Sequence, residues 1–448
     1  MDDAHDSAKT TRREFIRSAA ATAAVTAAAT RVAKSSVYSL APARVIGAND
    51  KIIVAHIGLG QQGRAHVKLL KENSTEGLKN NTEQVACCDI YVRRVNMVQK
   101  TLELKDAQCF NDYRKLLENK DINAVWVTTS DQWHAAITID ALKAGKHVYC
   151  EKPLARSVEE AYAIYDAVKE TKMVFQIGSQ GCSDQKWHVA GKAVREGKVG
   201  QLISGQGSYC RNSVQGEWND YPIDADAGPK ATGEAYVNWD VFRRGAEPAE
   251  WDPDRYFRWR KYWAYGSGPI GDLMPHRLHP LLIAMNMPLG EGQGYPIRVS
   301  ATGGLFIPRV NPDTKKPDRE VPDYVTLSVA FNNDTDLLML TSTINEQGLQ
   351  DMVRGNKATI FFGGAGVEIR PERVWAEEID GSTEPVPGEG EQINIHQRDF
   401  LDAIRNNRTP NANIDLALRV QLMVSMCEMS YRQGKTMHFD PATRKVIA

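Results

Sequence analysis

Ile52-Ile53-Val54-Ala55-His56-Ile57-Gly58-Leu59-Gly60-Gln61-Gln62-Gly63 is the stretch from which the rest of the chain can be read. A short apolar run ends in three glycines, and Arg64 to Glu72 then carries Val67, Leu69 and Leu70 at helical spacing. Such a run predicts a buried parallel strand, a tight turn and a helix N-terminus. The glycines let the backbone approach a pyrophosphate, and the helix N-terminus turns amide donors and a favourable dipole toward it. Gly58, Gly60, Gln61, Gln62 and Gly63 are therefore candidate cofactor-binding residues. Glycines at this spacing say little alone. Asp89 strengthens them, because it ends the next expected strand, Gln84 to Ile90, and can accept from both ribose hydroxyls, which favours NAD over NADP. It follows Gly58 by 31 residues because 73–83 reads as an inserted polar loop. Arg93 and Arg94 nearby keep NADP open.

Further strands are expected at 124–129 and 146–150, with helical stretches at 92–104, 112–119 and 133–144 between them. Alternation of this kind implies a doubly wound parallel sheet, a Rossmann domain over about 51–175. Beyond it, strand-like runs at 201–209, 297–306, 323–332, 336–344 and 357–362 are separated by long Gly/Pro/Asp-rich loops. These predict a C-terminal α+β domain, 176–448, with a mostly antiparallel sheet. Residues 396–406 and 414–433 read as helices, with Asn411 or Asn413 as N-cap and Gly434 as stop for the second. A length of 448 residues suits two domains and α/β architecture overall.

Residues 1–43 differ in kind. Arg12-Arg13-Glu14-Phe15 precedes an alanine-rich stretch from Ser18 to Thr30, and Ala41-Pro42-Ala43 offers a small-x-small cleavage site. That order describes a secretory leader, and the paired arginines resemble a twin-arginine export signal, implying a periplasmic or otherwise exported protein. Cut after Ala43, the chain would hold 49 basic and 52 acidic residues. Near-neutral charge argues against nucleic acid as a partner, and no later apolar run suits a membrane span. Seven scattered cysteines with no CxxC pair do not read as a disulfide framework.

Glu151-Lys152-Pro153 follows Ala144-Gly145-Lys146-His147-Val148, and Asp131-Gln132-Trp133-His134 follows the fourth strand. With the glycine fingerprint, these motifs resemble the Gfo/Idh/MocA oxidoreductases from about Lys51 to the C-terminus. The resemblance implies a nicotinamide cofactor held by Thr128, Thr129, His134, Glu151, Lys152 and Gln180 besides the glycine loop and Asp89. It also implies a catalytic Lys152, with Pro153 often in a cis bond. The family's second-domain signature reads here as Gly266-Ser267-Gly268-Pro269-Ile270-Gly271-Asp272-Leu273-Met274-Pro275-His276. Asp272 and His276 stand at i and i+4 and would share a helix face, so Asp272 is expected to orient His276. His276 would take the proton of a substrate hydroxyl, and Lys152 would stabilise the charge left on oxygen.

His279 completes an Asp-x-x-x-His-x-x-His pattern, yet no fourth ligand is evident by spacing, and no metal is expected. In Arg255-Tyr256-Phe257-Arg258-Trp259-Arg260-Lys261-Tyr262-Trp263, aromatic faces alternate with cations, as at sugar sites; Arg258 and Trp259 are candidate substrate residues, with a packed core strand as the alternative. Trp218, Tyr236 and Trp239 are weaker candidates. Many relatives carry an arginine pair where this chain reads Gly178-Ser179-Gln180-Gly181-Cys182-Ser183, which points to a neutral sugar, polyol or glycoside. Net oxidoreduction on a tightly bound cofactor is the expected activity. A redox-neutral, NAD-dependent glycosidase working by oxidation, elimination, hydration and reduction is the alternative, although that branch lacks the lysine found here at 152. A non-catalytic sensor is a third reading, against which Lys152, Asp272 and His276 together argue. Self-association through the C-terminal sheet is also expected.

Overall fold

The computed structural model describes residues 51–310, 317–364 and 366–448. The expected leader lies outside the described residues. Six strands form the first sheet: β1 (Ile52–Ile57), β2 (Thr82–Cys88), β3 (Cys109–Phe110), β4 (Ala124–Val127), β5 (His147–Glu151) and β6 (Phe175–Gly178). Their order is β3-β2-β1-β4-β5-β6, all parallel. This is the doubly wound order, in which ligands bind outside the strand C-termini where β1 meets β4. The connecting helices are α1 (Gln61–Glu72), α2 (Val92–Leu102), α3 (Tyr113–Leu117), α4 (His134–Lys143) and α5 (Val158–Thr171).

Both faces of this sheet are covered, which is why its strands carry no polar alternation. On one face Ala55, Ile57, Val125, Val127 and Val148 join the main core. On the other, Ile52, Val54, Trp126 and Tyr149 pack on Phe400, Leu401 and Ile404. Those last three come from the far end of the chain, so a C-terminal helix completes the N-terminal domain.

The second domain is built on ten strands in the order β14-β13-β12-β11-β7-β10-β9-β8-β15-β16. They are β7 (Leu202–Cys210), β8 (Pro296–Gly304), β9 (Tyr324–Phe331), β10 (Asp336–Ser342), β11 (Met352–Gly355), β12 (Ala358–Gly363), β13 (Gly366–Pro371), β14 (Ser382–Glu384), β15 (Met437–Asp440) and β16 (Lys445–Ile447). Only β7 and β10 pair in parallel, so the sheet is mostly antiparallel as expected. Its helices are α6 (Gln185–Arg195), α7 (Trp239–Arg243), α8 (Pro253–Phe257), α9 (Pro269–Asp272), α10 (Pro275–Ala284), α11 (Ile393–Arg405) and α12 (Ile414–Gln433). Asn413 caps α12 through the amides of Asp415 and Leu416, and Gly434 ends it at φ +64°.

The aromatic run 255–263 is not a strand. Asp252 accepts from the amide of Arg255 and Pro253 opens α8, so the run starts helical and continues as a turn at Trp259–Lys261. The strands β11, β13, β14, β15 and β16 are not expected from the sequence: none exceeds six residues, and each lies beside Gly, Pro or charged residues that read as loop. No helix among the described residues is long and apolar enough to cross a membrane.

Candidate active site

The glycine loop leaves β1 where two of its glycines have no room for a side chain. A Cβ on Gly58, whose φ is +90°, would come 2.6 Å from the carbonyl carbon of Thr128, and one on Gly63 would meet the Gly58 oxygen at 2.1 Å. These positions weld β1, α1 and the end of β4 together, helped by Thr128 Oγ1 donating to the Gly58 carbonyl at 2.5 Å. Gly60 is different. A Cβ there would have only an Arg94 nitrogen within reach, at 4.0 Å, and would otherwise occupy the space before the N-terminus of α1. That open cradle of backbone fits a dinucleotide's pyrophosphate.

Asp89 is buried at the end of β2, where its carboxylate accepts from the amides of Leu59 (2.6 Å) and Tyr91 (2.9 Å). The glycine loop and the ribose-binding candidate are thus one hydrogen-bonded unit. Arg93 turns away from it to pair with Asp224 and Glu234. Arg94 lies over the rings of Tyr91, Tyr256 and Phe257.

Thr129 follows β4 with its hydroxyl enclosed and unpartnered. His134 is buried and lies between two carbonyls, Nδ1 at 2.7 Å from Pro153 O and Nε2 at 3.2 Å from Thr129 O. It ties the β4 and β5 ends together. Gln62 is half-buried and donates to Glu151, whereas Gln61 points to solvent. Gln180 opens the turn after β6 and bonds to Glu391.

At the end of β5, Lys152 precedes Pro153 in a cis bond. Its ammonium donates to the Asp272 carboxylate at 2.7 Å and to the Asp272 backbone carbonyl at 2.8 Å. Arg260 donates to the same carboxylate at 2.9 Å, and the Trp218 indole reaches its other oxygen at 3.2 Å. Although burial works to raise it, Arg260 and Lys152 hold the Asp272 carboxyl well below the ordinary range. Asp272 is consequently hydrogen-bonded to Lys152 and Arg260 and makes no hydrogen bond to His276, on which it acts through its charge. Regular helix is interrupted between them, since α9 ends at Asp272 and Pro275 opens α10.

His276 instead stacks on Tyr209 of β7, with ring centroids 4.8 Å apart and planes at 20°. Its Nδ1 is enclosed and takes no hydrogen bond among the described residues. Burial first, and then the Lys152 charge, lower its pKa from 6.5 to about 3, so the imidazole is neutral at physiological pH. His279 is buried with Nδ1 on the Pro275 carbonyl at 2.8 Å. Among the described residues no group of three or more His, Cys, Asp and Glu is arranged to hold a metal.

Of the two substrate candidates in the aromatic run, Arg258 is committed elsewhere and Trp259 borders the site through Arg260. Arg258 spends its guanidinium on the carbonyls of Asn219 (2.6 Å) and Tyr221 (2.9 Å) and on Asp254. Trp259 packs with the aromatic cluster around Tyr91, Tyr256 and Tyr265. Arg260, stacked on the Trp259 ring at 4.3 Å, is the residue of the run that enters the site. In a helix-and-turn segment, neighbouring cations point to unrelated places, so no sequence signal separated Arg260 from Arg258. Every site cation has an acidic partner: Lys152 and Arg260 share Asp272, and Arg211 pairs with Glu217.

The long connection between β7 and α8 spans the crevice edge. At the β2 side, Tyr91 donates to Asp224 at 2.5 Å and Asn238 N donates to Ile90 O at 3.0 Å. At the β4 side, Gln132 and Trp133 both donate to the carbonyl of Phe242, at 3.1 and 3.3 Å. These anchors straddle β1 and its glycine loop.

Residues 52–179 match the model of an oxidoreductase family with an NAD-binding Rossmann fold, Gfo/Idh/MocA. This segment is similar to the NAD-binding domain of that family. Over 102 residues, 23% of this chain and 26% of the relative, it is 38% identical to levoglucosan dehydrogenase of Pseudarthrobacter phenanthrenivorans. Glycosyl hydrolase family 109 protein 1 of Shewanella sp. strain ANA-3 is 28% identical over 279 residues, 59% of this chain and 55% of that one. The chain thus spans from about a quarter to about half the length of these curated relatives. Among solved structures, a levoglucosan dehydrogenase complex with NADH and levoglucosan superposes with a TM-score of 0.63 at 20% identity, covering 89% of this chain and 99% of that one. That likeness extends the shared fold across both domains.

Proposed function

We propose that this chain is an exported NAD-dependent oxidoreductase that moves a hydride between a tightly held nicotinamide and a hydroxyl-bearing carbon of a neutral sugar, polyol or glycoside. One observation carries the reading: the Lys152 ammonium at the C-terminal end of β5 is fixed by Asp272, and the enclosed Nδ1 of His276, four residues beyond Asp272, has no hydrogen-bond partner among the described residues. When bound, the nicotinamide supplies the hydride acceptor. The chain supplies the rest. His276 accepts the hydroxyl proton as the C–H bond breaks, and Lys152 hydrogen-bonds the same oxygen and stabilises its developing charge. The segment Gly178 to Ser183 carries no arginine, which suits an uncharged substrate, and the relative complexed with levoglucosan supports a carbohydrate. NAD is favoured over NADP because Asp89 ends β2 beside the glycine loop and Arg93 is engaged elsewhere, while Arg94 lies near Gly60.

The test is purification of the native protein, release and identification of its dinucleotide, and then sugar-dependent absorbance at the nicotinamide band. Lys152→Ala is expected to keep the nucleotide and to lose roughly 10²–10³ in turnover, the usual scale for removing a charge-stabilising donor. A protein that neither holds nor binds NAD or NADP would end this reading. Resemblance to the family 109 relative favours a second one, redox-neutral glycoside cleavage. Product analysis separates them, since cleavage without net ketone formation would select the glycosidase. Export through the twin-arginine signal and self-association through the C-terminal sheet belong to the same proposal. Cell fractionation of Arg12→Lys/Arg13→Lys protein tests the first, and sedimentation the second.

A further inference from the structure

Behind the site lies a buried polar chain that the proposed chemistry does not use. His66, one turn beyond Gly63 on α1, is fully buried, as is Gln397 on α11. Gln397 Nε2 donates to His66 Nδ1 at 2.8 Å, so the ring's proton sits on Nε2. Nε2 in turn donates to Glu151 Oε1 at 2.8 Å, and Gln62 Nε2 donates to the same oxygen at 3.2 Å. Gly178 holds the other side, since a Cβ there would come 2.8 Å from the Glu151 carboxyl. Three segments far apart in sequence therefore converge on one carboxylate.

That carboxylate keeps its charge. Lys152, the adjacent cation, is committed to Asp272. Despite burial, which works to raise it, the His66 ring, by hydrogen bond and by charge, and then the Lys152 charge lower the Glu151 pKa to about 2. Oε2 takes no hydrogen bond among the described residues.

We propose that His66, itself held by Gln397, is a positioning residue that fixes Glu151 as a standing negative charge at the nicotinamide end of the crevice, where it favours the oxidised, cationic nicotinamide over the reduced, neutral one. The proposal rests on the dinucleotide use argued above. A unit charge in a partly buried site acts on another several ångströms away strongly enough to alter an equilibrium about tenfold.

Equilibrium dialysis of the full-length protein against NAD+ and against NADH gives the ratio of the two dissociation constants. Glu151→Gln should shift that ratio about tenfold toward NADH, and His66→Leu should shift it the same way by at least about threefold. His66→Gln retains a side-chain N–H donor and should stay near wild type. Gln397→Leu serves if His66→Leu does not fold, and should shift the ratio in the same direction. An unchanged ratio in Glu151→Gln, or equal weakening of both forms in His66→Leu, overturns the proposal and leaves the functional reading standing. A wild-type protein that binds neither form overturns both.

Discussion

His276 is the residue whose protonation the proposed chemistry depends on. Burial and the Lys152 charge set its pKa at about 3, so protonation disables it only in strong acid. The acid limb of kcat/KM for sugar oxidation is therefore expected well below the ordinary histidine range. Asp131, a buried carboxyl on the same loop as Thr129, is raised by burial to about 6 and would add its own limb. Asp131→Asn removes that contribution. A limb near pH 6.5 that survives in Asp131→Asn would contradict the assignment of His276 as a neutral base. At this scale the sequence was only partly readable. Lys152, His276 and Asp272 were picked out by motif, but the partner of Asp272 was not, because a one-turn helix break decides which way its carboxylate points.

At the scale of elements, the connection between β7 and α8 stands out. Its anchors at Tyr91, Arg93, Gln132 and Trp133 bracket the glycine loop. A strap fastened at both ends should slow release of whatever lies beneath it. Asp224→Ala removes the hydrogen bond from Tyr91 and the ion pair with Arg93 together. Dissociation of bound NADH is expected to speed up about fivefold, an effect on off-rate rather than on-rate, as is usual for related complexes. Stopped-flow displacement measures it, and an unchanged rate would show that the strap plays no part in retention. The sequence marked this region only as a long Gly/Pro/Asp-rich loop. Its docking rests on single contacts between residues more than a hundred positions apart, which leave no periodic trace.

Across the whole molecule, buried histidines couple stability to pH. His56 and His279 are fully buried, and burial lowers their pKa values to about 3 and about 4 from 6.5. Below pH 6.5 the unfolded chain takes up protons that these two sites refuse, so stability is complete above 6.5 and falls as pH drops toward 4 and 3. At pH 5 each site is expected to have cost about 2 kcal/mol. Asp131 and His134, whose folded pKa values are raised, work in the opposite direction, while His147 and His276, lowered to about 4 and about 3, add to the loss. Thermal unfolding at pH 5 should therefore begin a few degrees below that at pH 7. A Tm that is equal or higher at pH 5 would refute this account.

What the sequence determined by itself was local and periodic. The apolar run into Gly58-x-Gly60-x-x-Gly63, the alternating strands and helices to residue 178, and the capped helix over 414–433 all follow from backbone geometry and burial pattern within a few neighbouring residues. Tertiary structure alone decided which distant groups meet. It placed Arg260 rather than Arg258 in the site, gave Asp272 to Lys152, Arg260 and Trp218, and laid α11 on the first sheet so that Gln397 could reach His66. The reason is physical: a glycine turn is selected by its own φ angle and by contacts a few residues away. A buried carboxylate is satisfied by whichever donors the packing of separate segments brings within about 3 Å, and no spacing in the chain encodes that distance.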